Sequence, residues 1–90
     1  MGYRVEILGP AEKALGKLDK PTRERAIKFL KDELPSLEDP RSIGAALSGD
    51  LKHYWKYRRG SPRFVCLIED ENILVLVLRI GDRKNVYKKK

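Results

Sequence analysis

The chain has one cysteine, one histidine and one tryptophan. Cys66 has no partner for an internal disulfide, and its place within an apolar run marks it as a small buried hydrophobe rather than a nucleophile. His53 has no cysteine or carboxylate nearby at metal-ligand spacing, so no metal site is expected. A glycine-rich phosphate loop is missing, because Gly9-Pro10 and Gly60-Ser61-Pro62 read as turns, and no cofactor is expected. The carboxylates Glu69, Asp70 and Glu71 fall at a hairpin tip, where a solvated turn is the better reading than an acid–base pair. No stretch approaches the roughly 20 apolar residues of a membrane span, and the N-terminus shows no apolar signal segment. The expected location is therefore the cytoplasm, with no membrane partner.

What the chain does have is positive charge, unevenly placed. Its formal net charge is +7, yet residues 52–63 carry five cations and no acid, and residues 79–90 carry six cations against Asp82. The rest of the chain is consequently net negative. A local cationic field threaded with aromatics is what a polyphosphate selects, whereas solubility alone needs only dispersed charge. Ninety residues support a single domain, 1–90, with one modest core.

Residues Tyr3 to Leu8 alternate as a first strand, stopped by Gly9-Pro10. Ala11, Ala14, Leu15 and Leu18 then share one helical stripe, and Asp19 with Pro21 restarts a second helix in which Ala26, Ile27, Leu30 and Leu34 keep the period up to Pro35. Residues 35–50 read as a long connection anchored by Ile43 and Leu47. Three runs follow, Leu51 to Arg58, Arg63 to Glu69 and Ile73 to Ile80, with short polar connections that predict an antiparallel meander. The third run is apolar on both faces and is expected at the sheet centre. The predicted fold is α+β: a strand, a helical hairpin and a three-stranded meander in one small sheet with helices on one face. Period-two geometry puts Tyr54, Lys56 and Arg58 on the face away from the helices and turns Trp55 and Tyr57 under them.

With no poised histidine or carboxylate, an enzyme of this kind works with cations and a phenol. Such a set suits cleavage of RNA by its own 2′-hydroxyl, which needs a proton acceptor, positive charge on the crowded phosphorane and help for the leaving 5′-oxygen. Tyr87 is the candidate base where cations lower its phenol from the ordinary value of about 10. Lys56 and Arg63 neutralise the phosphate, and Arg83 is placed to protonate or shield the leaving group, shielding being the easier role for a guanidinium. Lys88-Lys89-Lys90 adds long-range attraction.

Leu47-Ser48-Gly49, Tyr54-Trp55-Lys56-Tyr57-Arg58, Arg63-Phe64-Val65 and the run Arg79-Ile80-Gly81-Asp82-Arg83-Lys84-Asn85-Val86-Tyr87 together resemble the RelE family of toxin ribonucleases, within the RelE/ParE superfamily. The resemblance covers nearly the whole chain. It implies a RelE-like fold and a metal-independent endoribonuclease that enters the ribosomal A site, cuts mRNA and is held inactive by a cognate antitoxin, through which the complex binds operator DNA. Lys56, Arg63, Arg83 and Tyr87 match the family's catalytic positions. Lys52, His53, Tyr54, Arg58, Arg59 and Lys84 are the expected RNA- and phosphate-binding residues. Two departures stand out: Tyr54 occupies a position where some members have a second lysine, and no helix-length segment follows Tyr87. The competing readings on the same scaffold are a ParE-like gyrase poison and a catalytically silent basic module that binds an antitoxin.

Overall fold

A computed structural model describes residues 2–47 and 53–82. The chain runs β1 (Arg4–Ile7), α1 (Gly9–Gly16), α2 (Lys20–Lys28), a π-helical turn (Phe29–Glu33), α3 (Leu34–Ser36), β2 (Ala45–Ala46), β3 (Tyr54–Arg58), β4 (Pro62–Glu69), a 3-10 turn (Asp70–Asn72) and β5 (Leu74–Asp82). These strands form one sheet in the order β1-β5-β4-β3-β2. The meander β3-β4-β5 is antiparallel, as its short connections predict, while β1 joins β5 in parallel.

The helical stripes lie where their spacing puts them. Ala11 and Leu15 of α1, Leu18 just after it, Ala26 of α2, Phe29 and Leu30 of the π-helical turn and Leu34 of α3 are buried against Phe64, Cys66, Ile68, Val75, Val77 and Ile80 of the sheet. Tyr57 joins them, and the Phe29 ring lies between aromatic neighbours, with centroid distances of 5.6 Å to Tyr57 and 5.1 Å to Phe64. Burial in this layer pushes the Cys66 thiol up to about 12, so it stays protonated and behaves as a packed hydrophobe.

The second helix departs from a uniform period. Pro35 has no N–H to give to a carbonyl one turn back, and the Leu34 N–H bonds to the Phe29 carbonyl five residues earlier.

Two further features differ from the reading of the sequence. The connection after Pro35 contains the short strand β2, whose Ala45 and Ala46 pair with Lys56 and Trp55, so the sheet has a fifth strand at this edge. Of its two expected anchors Ile43 packs against the core, but Leu47 is 40% exposed. And β5 is flanked by β1 and β4 rather than occupying the centre, which belongs to β4; its helix-side Val75 and Val77 are fully buried while Leu76 and Leu78 are only half-buried. A bulge ends the apolar run: the partner of Cys66 is Val77 and that of Val65 is Arg79, leaving Leu78 as the extra residue.

Candidate RNA-binding face

Helices cover one side of the sheet and leave the other to side chains that alternate with the core. On β4 the pattern is strict: Pro62, Phe64, Cys66 and Ile68 are buried, and Arg63, Val65, Leu67 and Glu69 point to the open face. Cross-strand register sorts that face into rows. Arg58 and Gly81 flank Arg63, Lys56 and Arg79 flank Val65, Tyr54 and Leu76 flank Leu67, and Leu74 lies beside Glu69. Charge therefore changes along the strands, with cations at the β3–β4 hairpin end and, toward the other, Glu69 and an Arg4–Glu6 ion pair at 3.3 Å. Lys56, Arg58 and Arg79 are exposed, and Arg63 is half-buried between its neighbours.

An open groove of about 750 Å³ lies over the cationic end. Its floor includes Val65, Leu78 and Gly81, its cations are Lys56, Arg58, Arg63 and Arg79, and Gly44, Ala45 and Leu47 form one side. The last three are carried by a strap, residues 39–47, that β3 holds in place. Trp55 donates its indole N–H to the Ile43 carbonyl at 2.7 Å, and Tyr57 donates its hydroxyl to the Pro40 carbonyl at 2.5 Å. That hydroxyl is buried, which raises its pKa well above the ordinary phenol value and keeps it a donor. Gly44 has φ +79°, and a Cβ there would lie 2.4 Å from the Lys56 carbonyl oxygen. The strap thus reaches the backbone of Lys56 itself.

Candidate residues separate in space. Lys56, Arg58 and Arg63 share the open cationic face, and Tyr54 occupies the same face two residues from Lys56. Arg59 turns the other way: its Nε donates to Glu33 at 2.8 Å and its guanidinium lies 5.2 Å from the centre of the Phe29 ring, binding the hairpin to the helix layer. His53 is exposed at the far end of the sheet, beside Glu69, Asp70, Glu71 and Asn72. Lys52, Arg83, Lys84 and Tyr87 lie outside the described residues. Arg79 is the cation that sequence reasoning missed. Counting by twos from Val75 and Val77 sends it under the helices, and only the bulge at Leu78 returns it to the open face. Among the described residues no group of three or more His, Cys, Asp or Glu side chains is placed to hold a metal, and no helix is long and apolar enough to cross a membrane.

A small α+β scaffold with a basic open face and a C-terminal basic-aromatic motif defines a toxin of the RelE/ParE superfamily. The family model described as "ParE toxin of type II toxin-antitoxin system, parDE" matches residues 5–87, and the chain belongs to that family. Over 89 residues it is 28% identical to Toxin RelG of Mycobacterium tuberculosis, covering 99% of this chain and 100% of that one. Among solved structures it is similar to the toxin–antitoxin complex RelBE2 from the same organism, at a TM-score of 0.81 and 28% identity over 92% of this chain and 93% of that chain. The isolated E. coli RelE toxin matches at a TM-score of 0.72 and 29% identity over 96% of this chain and 92% of that chain.

Proposed function

We infer that this toxin is a metal-independent endoribonuclease that cuts mRNA in the ribosomal A site and so stops translation. The observation that carries the reading is the cationic groove. Lys56 and Arg63 lie on one open face, in neighbouring rows that hold no carboxylate among the described residues, at the end of the sheet where β5 finishes. In this reading Tyr87 takes the proton of the 2′-hydroxyl, Lys56 and Arg63 offset the charge that builds on the phosphorane, and Arg83 shields the departing 5′-oxygen. Arg58, Tyr54, Lys52 and Lys84 hold the neighbouring backbone. Arg59 and His53, placed away from the groove, contribute at most to long-range attraction.

These groups offer charge and a phenol, and among the described residues the groove holds no histidine or carboxylate. Alignment must therefore supply much of the rate, and a ribosome that presents the codon in a fixed geometry supplies it. The partner that restrains the activity is a cognate antitoxin, a reading supported by the RelBE2 complex among the similar structures. A complementary acidic segment over the groove, or displacement of the segment carrying Tyr87, would block the site.

The family description by its ParE members favours a second reading, a gyrase poison that cuts no RNA. Induced expression of the wild-type chain and of Arg83→Ala, followed by protein synthesis, mRNA integrity and plasmid supercoiling, separates the two. The endoribonuclease reading expects rapid loss of translation with cleaved mRNA and unchanged supercoiling, all abolished in a folded Arg83→Ala variant. Altered supercoiling with intact mRNA would replace it with the second reading.

A further inference from the structure

We propose that Arg79 and Lys56 form a phosphate subsite astride Val65, so that a single-stranded RNA backbone lies along β4 with successive phosphates on the Lys56/Arg79 row and on the Arg58/Arg63 row. This rests on the RNA reading above and adds to it a residue and a direction for the strand.

The bulge is what makes the subsite. Register passes from Cys66 opposite Val77 to Val65 opposite Arg79, so Ile80 falls opposite Phe64 in the core and Arg79 turns outward. A bulge beside a site commonly serves to re-aim one side chain in this way. Lys56 is opposite Val65 from the other side, and β3 and β5 lie two strand spacings apart, about 9.5 Å. A lysine and an arginine rooted on either side of a valine converge on an anion seated between them. Val65 is half-buried and apolar, so it gives that anion a floor and no competing charge. Among the described residues neither Lys56 nor Arg79 makes an ion pair.

The next row lies about 6.7 Å further along the strands, two residues of rise. There Arg58 and Arg63 are adjacent, and Gly81 on the other side of Arg63 brings no side chain into the groove. Two cationic rows at regular spacing suit a chain of phosphates better than a lone anion. In the opposite direction the Lys56/Arg79 row gives way to Tyr54, Leu67 and Leu76, with Glu6 beyond Leu76; this row cannot hold a third phosphate, and its first three residues present a ring and apolar surface to a base.

The test is titration of a labelled, uncleavable 2′-O-methyl RNA oligonucleotide with the full chain at several salt concentrations, read by fluorescence anisotropy, with circular dichroism to confirm folding. Removing one phosphate from the set the protein neutralises should flatten the slope of log affinity against log salt by about 0.7. Arg79→Gln alone should flatten it by that amount. Combined with Lys56→Gln it should show little more, because both serve one phosphate, whereas combined with Arg58→Gln the effects should add, to about 1.4. Arg79→Gln with the wild-type slope, or effects that simply add for Arg79 and Lys56, would overturn the shared subsite while leaving RNA binding intact. A wild-type chain with no salt-dependent binding would overturn the RNA reading and the subsite with it.

Discussion

Arg41 holds Asp70 through both terminal nitrogens, at 2.9 and 3.2 Å, and Asp70 also accepts the Tyr3 hydroxyl at 2.8 Å. The guanidinium of Arg41 lies 5.7 Å from the centre of the Trp55 ring. One carboxylate thus connects the start of β1, the strap and the β4–β5 turn. Arg41 and then Tyr3, by donating to it, hold the Asp70 carboxyl below its ordinary value.

A carboxyl depressed in the folded state stabilises at pH above its unfolded value, near 4, and that contribution disappears as pH falls through the folded value. Asp70→Asn should therefore lower the urea midpoint at pH 7, and the difference between variant and wild type should shrink at pH 3. Asp70 is exposed and Arg41 only half-buried, so the effect is small. A midpoint difference that is unchanged between the two pH values would remove the charge as its cause.

Gly44→Ala should damage the site without touching a cation. The added methyl meets the Lys56 carbonyl at 2.4 Å in a backbone with φ +79°, so either β2 leaves the sheet or β3 shifts. The expected result is a loss of roughly 1–3 kcal/mol of stability, with faster amide exchange at Lys56 and Trp55 than elsewhere in β3. Wild-type stability and exchange would show that the strap does not bear on β3.

Ile73 has φ +51°, a left-handed conformation that a β-branched residue adopts at a cost, and its side chain is 54% exposed. Asparagine tolerates that conformation, so Ile73→Asn should raise stability by about 1 kcal/mol. The measure is the denaturation midpoint; a lower midpoint would mean that the exposed isoleucine packs to more effect than its strain costs.

Much of the fold is legible in the sequence because it depends on local periodicity. The stripe of Ala11, Leu15 and Leu18, the alternation through Arg63 to Glu69 and the polar turns at 59–61 and 70–72 each specify an element from neighbouring residues alone. The features that are not legible depend on contacts distant in the chain. Ala45-Ala46 carries no strand pattern and exists as β2 because Trp55 and Tyr57 fix the strap. Arg59 is drawn to the helix layer by a carboxylate 26 residues earlier. The bulge at Leu78 adds one residue to a two-residue period and so inverts the facing of Arg79, which no count along β5 alone predicts. Of the candidate site, alternation alone assigns Lys56 and Arg58 to one face, and the register of β3 with β4 brings Arg63 beside them.

The chemistry is tested most directly by single-turnover cleavage of ribosome-bound mRNA, comparing a natural codon with one carrying a 2′-deoxy sugar at the cleaved nucleotide, for wild type and Tyr87→Phe. In-line attack by the 2′-hydroxyl predicts that the natural codon yields a 2′,3′-cyclic phosphate and that the deoxy codon resists. Loss of the phenolic base should slow the natural reaction by around 10²-fold or more while RNA affinity is retained. Cleavage of the deoxy codon at the normal rate would contradict the account, and an unchanged rate for Tyr87→Phe would take Tyr87 out of the mechanism.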